Sequence, residues 1–190
     1  GLSMLLFGST TLMMSSMEEI TVGSVEDDQN WDIQANVMFG GEDEVIQWVE
    51  DKGGYHERII TFPANPFNDS RVISANGMEV LSTESSALIQ LDLKEGKLPE
   101  AGLQTSQILI DEGLRHFLGW ETGEIQTLVF GSTSAPVEIV GITQGEMSRT
   151  VYFHRSDLAK IVGVEATAVL IDLPEGAVAD SDLGNVSLVV

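Results

Sequence analysis

The residues that most often carry enzymatic or metal chemistry are few in this chain and lie far apart. The three histidines, His56, His116 and His154, are isolated, and neither an H-x-x-x-H nor an H-E-x-x-H spacing occurs. Common zinc sites use such spacings to bring two imidazoles to one face of a helix. The sequence therefore predicts that these histidines are solvated or hydrogen-bonded within the fold, and that they are not metal ligands.

Carboxylates are abundant, but none has the spacing of a known site. Asp27-Asp28 and the pair Asp180/Asp182 lack the glycine and distal glutamate of a calcium loop. The sequence also has no G-x-S-x-G elbow, Walker A loop or G-x-G-x-x-G turn. We therefore predict no catalytic residue, no cofactor and no metal in this chain, and a protein that is not an enzyme.

The composition is that of a globular protein with a strongly acidic balance. The chain has 190 residues, of which 43% are hydrophobic and 21% charged, and its formal net charge is −21. This charge argues against binding to nucleic acid, which needs a basic surface to displace counterions from phosphates. Without cysteine the chain has no disulfide, and its compartment cannot be read from thiols. Its length suits one domain or two small subdomains.

The pattern after residue 30 predicts a strand–helix–strand unit. Trp31–Phe39 alternates apolar and polar residues with a period of two, which indicates a half-buried strand. Glu42, Asp43 and Glu44 then open a helix, where they complement the positive end of its dipole. Tyr55–Phe62 reads as a second strand. The predicted apolar face of the helix consists of Val45, Ile46, Trp48 and Val49.

The next part of the chain is rich in turn signals. Pro63–Ser70 is the densest cluster and predicts a subdomain boundary. Asn76-Gly77 predicts the type I′ turn of a hairpin that joins Val72-Ile73 to Met78–Leu81. Ser85–Leu93 fits either a strand or a short helix.

Between Lys94 and Ile142 short apolar runs alternate with turns, which is typical of strands around one small helix. The predicted elements are, in order, a turn at Glu95, Gly96, Leu98 and Pro99, a strand Gln107–Ile110, a helix Glu112–Leu118 capped by Asp111 and ended by Gly119, a strand Ile125–Phe130, a loop Gly131–Pro136 and a strand Val137–Ile142.

The two ends of the chain are apolar. Thr150–His154 and Ala166–Leu173 are predicted strands on either side of a helix Asp157–Val162, which Ser156 caps and Gly163 ends. Residues 1–17 carry no charge and are shorter than a membrane span. They are either a buried amphipathic helix or the outer half of a membrane helix. Val186–Val190 is either a last strand or the approach to a second membrane helix.

The order of these motifs resembles the periplasmic core domain of ABC-transporter permeases of the MacB/FtsX/LolC-LolE type. The matching pieces are Glu95-Gly-Lys-Leu-Pro, Ile108-Leu-Ile-Asp, a helix ending in Leu118-Gly, Thr122-Gly-Glu, Val137-Glu-Ile-Val-Gly-Ile and Thr150–Val164. The resemblance extends from about Trp31 to about Leu173, and it is carried by the order and spacing of pieces that are common individually.

The resemblance implies a bacterial membrane protein with this domain on the extracytoplasmic side. ATP would be hydrolysed by a separate nucleotide-binding subunit or domain, and the membrane helices would belong to the same chain. This domain would couple helix motion to a cargo or an envelope adaptor protein. A free-standing secreted or surface protein-binding module is the alternative.

We predict an α+β fold in which a split strand–helix–strand sheet subdomain carries an inserted small β-rich subdomain. The expected division is residues 1–24 as the end of a membrane helix and a connector, residues 25–70 with 150–190 as the membrane-proximal subdomain, and residues 71–149 as the insert. The N-terminal strands Trp31–Phe39 and Tyr55–Phe62 are expected to share one sheet with the C-terminal strand Ala166–Leu173, because a two-stranded piece alone is only marginally stable. Partner contact is expected around Glu84–Pro99 and Gly131–Pro136, at Glu95, Leu98, Pro99, Ser132 and Ser134.

Overall fold

A computed structural model describes residues 33–37, 40–145 and 149–174. The predictions for residues 1–17 and Val186–Val190 lie outside these residues, as do the outer positions of the predicted first strand, Trp31 and Phe39. Within the described ranges the chain forms nine strands and three helices, which confirms the α+β class.

The described residues up to 58, together with those from 166 onwards, form one compact unit, and the described residues between 59 and 165 form a second. The subdomain boundaries predicted from the sequence were at residues 70 and 150. The second strand, β2 (Tyr55–Pro66), begins in the first unit and continues into the second.

In the first unit, β1 (Ile33–Asn36) pairs in antiparallel fashion with β9 (Ala168–Asp172), and Ile33 lies opposite Ile171. The strand order continues from β9 to β2. Strands β1, β2 and β9 therefore share one sheet, which confirms the prediction that the two ends of the chain complete each other's sheet. On one face Ile33, Ala35, Val169 and Ile171 are buried together.

Helix α1 (Glu42–Asp51) covers that face. Val45 and Val49 are fully buried, and the half-buried Trp48 packs against the same cluster. The three acidic residues form the first turn, where their charges complement the helix dipole. The predicted helix and its apolar face are thus confirmed, although Ile46 is only half-buried.

The second unit contains the remaining elements, which are β3 (Ile73–Met78), β4 (Leu93–Gly96), β5 (Ser106–Asp111), α2 (Glu112–Leu118), β6 (Ile125–Phe130), β7 (Thr133–Thr143), β8 (Thr150–His154) and α3 (Arg155–Val162). Its mixed sheet has the strand order β2, β3, β8, β5, β7 and β4. Pairs β3–β8 and β5–β7 are parallel, and the hairpin strand β6 pairs with β7 and with the end of β2. The main core of the unit includes Phe153, Ile108, Ile139 and Leu114.

The local signals around α2 were read correctly from the sequence. Asp111 is the N-cap, and its Oδ1 accepts a hydrogen bond of 2.7 Å from the Leu114 N–H. Gly119 ends the helix at a φ of 73°, which glycine adopts without a Cβ clash. Leu114 is buried, and Phe117 and Leu118 pack beside it, so the strand–helix–strand–strand order is confirmed.

The predicted hairpin turn at Asn76-Gly77 is wrong, because both residues lie inside β3. Gly77 is in register with Ile60 of β2 and Phe153 of β8. A Cβ on Gly77 would lie 3.1 Å from Arg155 Cα and 3.2 Å from Leu158 Cβ, both in α3. Glycine at this position therefore allows close helix packing, and it does not form a turn.

Three other turn predictions fail for related reasons. Strand β2 continues through Pro63 to Pro66, because the fixed φ of proline suits extended backbone and costs only the N–H donor. The loop predicted over Gly131–Pro136 is a two-residue turn, since β7 already begins at Thr133 opposite Phe130. Glu95 and Gly96 belong to β4, and only Leu98 and Pro99 lie in the following loop.

Helix α3 also starts differently from the prediction. It begins at Arg155, with His154 at the N-cap position and no side-chain capping bond, so Ser156 lies in the first turn and is not the cap. Its end at Gly163 is as predicted. The longest helix in the described ranges has ten residues, and none there has the length and hydrophobicity to span a bilayer.

Candidate partner-binding surfaces

The residues predicted to contact a partner fall at two places in the second unit. Glu95 in β4 lies opposite Ile142 near the end of β7, whereas Ser134 lies at the beginning of β7. Ile142 lies eight positions after Ser134 along this strand, which corresponds to roughly 26 Å. The structure therefore does not bring the two groups into one site.

The glycine of the Glu-Gly-Lys-Leu-Pro motif has a structural role. Gly96 has a φ of 84° and lies in register with Gly141 of β7. A Cβ on Gly96 would overlap the Val140 carbonyl group, and one on Gly141 would lie 2.8 Å from Leu109 Cδ2. The two glycine-containing motifs of the resemblance are thus brought together by a close approach of two backbones.

Glu95 belongs to an ionic network at the surface. Arg115 Nη1 donates to Glu95 Oε1 at 3.1 Å, and the Thr122 hydroxyl donates to Glu95 Oε2 at 2.8 Å. Arg115 also bonds both carboxylate oxygens of Glu121, at 2.6 and 2.9 Å, and this contact raises the pKa of the guanidinium. Glu95 is therefore engaged in holding β4 against the loop after α2.

Leu98 and Pro99 are less accessible than a contact site would require. Pro99 is buried, and its carbonyl oxygen lies 2.7 Å from His154 Nε2. Half-buried Leu98 packs against a small cluster that includes Leu91 and Val140. Further along this loop, Asp157 Oδ1 accepts from the Gly102 N–H at 3.0 Å. The loop is consequently fixed to the sheet.

Ser132 and Ser134 are both exposed at the β6–β7 hairpin. The neighbouring residues Gly131, Thr133 and Pro136 are exposed as well, and they are small or conformationally restricted. This hairpin tip is therefore the more accessible of the two predicted contact regions. Its contact with a partner stays a prediction.

Asp111 joins α2 to the strand that precedes α3. Besides capping α2, its Oδ2 accepts a 3.1 Å bond from the backbone N–H of Thr150. The carboxyl group is almost fully buried, with 1% of the residue exposed. Burial, with a smaller effect of the Asp111 charge, raises the pKa of Tyr152 to about 12. The aspartate of the Ile-Leu-Ile-Asp motif is thus a structural anchor.

The histidines occupy unrelated positions. His154 Nε2 lies against the Pro99 carbonyl, and His116 Nε2 lies 3.2 Å from Glu112 Oε1. His56 Nε2 lies 3.8 Å from a Glu50 oxygen. In the described part of the chain, no group of three or more histidine and acidic side chains has the geometry of a metal site.

The sequence reasoning missed an exposed apolar surface beside the turn after β2. Phe67 is 63% exposed and Ile125 is 65% exposed, and both line a pocket of about 280 Å³ whose wall includes Trp120. The Phe67 N–H donates to the Thr127 carbonyl, which fixes this turn on β6. The sequence signal for this surface was Phe67, a large apolar residue among the turn-forming residues of Pro63–Ser70.

Two arginines lie next to this surface, around one aromatic ring. The guanidinium carbon of Arg71 lies 4.8 Å from the centre of the Phe117 ring, and that of Arg149 lies 3.7 Å from it. Such distances allow attraction between the cation and the π-electron face. The chain has only nine lysines and arginines, and two of them therefore lie at one ring.

Comparison with solved structures identifies the fold. The chain is similar to the extracellular domain of the noncanonic ABC-type transporter YknZ from Gram-positive bacteria, with 15% identity, a TM-score of 0.52 and 76% of each chain covered. It also matches the periplasmic region of MacB from Actinobacillus actinomycetemcomitans, with 12% identity, a TM-score of 0.48, and coverage of 72% of this chain and 67% of that one. Comparisons with protein-family models and with curated protein sequences give no match.

Proposed function

We propose that this chain is the extracytoplasmic domain of an ABC-transporter permease, and that it transmits membrane-helix motion to a cargo or an envelope partner protein. The observation that carries the proposal is the fold, which the chain shares over 76% of its length with the extracellular domain of YknZ. The motif order that suggested the same class from sequence gives independent support.

The strand arrangement of the first unit suits a domain placed between two membrane helices. Strands β1 and β9 are antiparallel neighbours, and Ile33 lies opposite Ile171. The beginning of β1 and the end of β9 therefore lie side by side. A movement of two flanking helices would act on the two strands together, and α1 packs on the same sheet.

In this proposal the chain supplies a rigid surface, and ATP hydrolysis takes place on a separate nucleotide-binding subunit or domain. The side chains named above form caps, ionic networks and core contacts, which stabilise a shape. The domain itself requires no cofactor and no catalytic residue for this role.

Purification of the natural gene product that contains this chain tests the proposal. We expect it in the membrane fraction, together with a nucleotide-binding subunit or domain and vanadate-sensitive ATP hydrolysis. Recovery from the soluble extracellular fraction without an ATPase would contradict the proposal, and would favour a free-standing binding module.

A further inference from the structure

The surface around Phe117 has the composition of a protein-docking site. We define the Phe117 surface as Phe67, Arg71, Phe117, Ile125 and Arg149, all of which belong to the second unit. It combines two strongly exposed apolar side chains with two arginines held at an aromatic ring. Aromatic and arginine side chains are enriched among the residues that dominate binding energy at protein interfaces.

Arg71 is a fixed and neutralised member of this surface. Its Nη2 lies 2.6 Å from Asp69 Oδ2, its Nε donates to both Asp69 oxygens, and its Nη1 donates to the Phe117 carbonyl at 2.7 Å. The hydrogen bonds from Arg71 lower the pKa of Asp69 to about 2, so the pair is ionised at physiological pH. Arg71 therefore positions Phe117 and adds little net charge.

Arg149 has a different environment. The residue is exposed, and within residues 33–37, 40–145 and 149–174 its guanidinium has the Phe117 ring as its contact and no carboxylate within ion-pair distance. Stacking on the ring holds the planar group while its N–H donors remain available to a carboxylate. Among the described residues of this surface, the charges of Arg71 and Asp69 cancel and Arg149 adds one positive charge. The net charge of these residues is therefore positive.

A groove of about 670 Å³ opens beside Arg149. Pro63 and Val72 give it an apolar wall, Ser74 and Thr150 add hydroxyl groups, and none of its lining residues is acidic. Val72 is 60% exposed although it is apolar. The groove therefore offers apolar contact immediately next to a cation.

We propose that the Phe117 surface docks an acidic segment of a partner protein, with a carboxylate paired to Arg149 and a neighbouring apolar side chain in the groove. This inference rests on the proposed function, which requires a partner protein outside the membrane. Charge complementarity selects the occupant, because Arg149 gives the described residues of this surface a net positive charge beside an apolar groove, whereas the chain as a whole has a net charge of −21.

Selection from a random peptide library on the immobilised full chain tests the inference. We expect enriched peptides to carry aspartate or glutamate next to an apolar residue. Arg149→Ala should weaken their binding about tenfold, a typical loss for one charge-assisted contact. Arg149→Lys, which keeps the charge and loses the planar fork, should have an intermediate effect. The matched control is Lys160→Ala, which removes an exposed cation from α3 and should change binding less than twofold.

Several outcomes would overturn the inference. These are enrichment of basic peptides, no enrichment at all, or equal weakening by the Arg149 and Lys160 variants. Arg149-dependent binding of phosphatidylglycerol vesicles without peptide binding would assign the surface to a membrane and also reject the proposal. Circular dichroism of each variant checks the fold, and Arg149→Gln replaces the alanine variant if that one unfolds. Co-purification with an ATPase does not depend on Arg149, so failure of the docking inference is distinguishable from failure of the proposed function.

Discussion

Replacing Asp111 by alanine should destabilise the second unit, because one carboxylate satisfies two backbone donors. Its Oδ1 caps α2 through Leu114, and its Oδ2 accepts from the buried N–H of Thr150. Loss of an N-cap costs about 1 kcal/mol. Leaving a buried N–H without a partner costs about 1–3 kcal/mol. The expected loss in the free energy of unfolding is therefore about 2–4 kcal/mol.

Urea unfolding of the wild-type chain and the variants, followed by far-ultraviolet circular dichroism, measures this loss. The stability of Asp111→Asn should fall between those of the wild type and Asp111→Ala. The amide oxygen of asparagine can still accept one of the two hydrogen bonds, whereas its NH2 group cannot accept the other. Asp92→Ala is the control, because Asp92 is exposed and its removal should change stability by less than about 0.5 kcal/mol. If Asp111→Ala were as mild as Asp92→Ala, the anchoring role would be refuted.

Three further predictions concern backbone packing and titration. Gly96→Ala should destabilise the chain by about 2 kcal/mol or more in the same urea assay, because its Cβ would overlap a β7 carbonyl group at a positive φ; an unchanged midpoint would contradict the close approach. The Asp69 carboxyl should titrate near pH 2 by NMR. Its ion pair with Arg71 therefore stabilises the fold above about pH 4, and this stabilisation is lost as the pH falls towards 2. Arg71→Ala should raise the pKa of Asp69, and an unchanged pKa would contradict the ion pair. In a Tyr55→Phe variant, ultraviolet titration should find Tyr152 ionising near pH 12, and a midpoint near 10 would mean that it is solvated.

Sequence reasoning was most successful where a local pattern decides the structure. The alternation that begins at Trp31 predicted β1, and the acidic start and apolar face predicted α1. Asp111 and Gly119 predicted both ends of α2, because capping involves only residues within one turn. These features are encoded by near neighbours, so a single sequence is sufficient to find them.

The errors occurred where distant residues determine the role of a glycine or proline. The sequence around Gly77 predicts a turn, but in the structure Leu158 packs closely against this glycine. The sequence around Gly96 also predicts a turn, but Gly96 lies in a strand opposite Gly141. Pro63 and Pro66 lie within a long strand because its partners supply the remaining pairing. The Phe117 surface was missed for the same reason, since Arg71, Phe117 and Arg149 are far apart in sequence.

The side of the membrane on which the β6–β7 hairpin lies is the measurement that tests the proposed function most directly. The 190 residues contain no cysteine. Ser132→Cys in the natural gene product, with any cysteine outside these residues replaced by serine, therefore places a single thiol at an exposed position of the hairpin. Ser106→Cys is the matched control, because Ser106 is only 8% exposed and a thiol there should react only after denaturation. A membrane-impermeant maleimide added to intact spheroplasts should label Ser132→Cys and leave Ser106→Cys unlabelled. Labelling of Ser132→Cys only after the membrane is broken would place the domain inside the cell and contradict an extracytoplasmic permease domain.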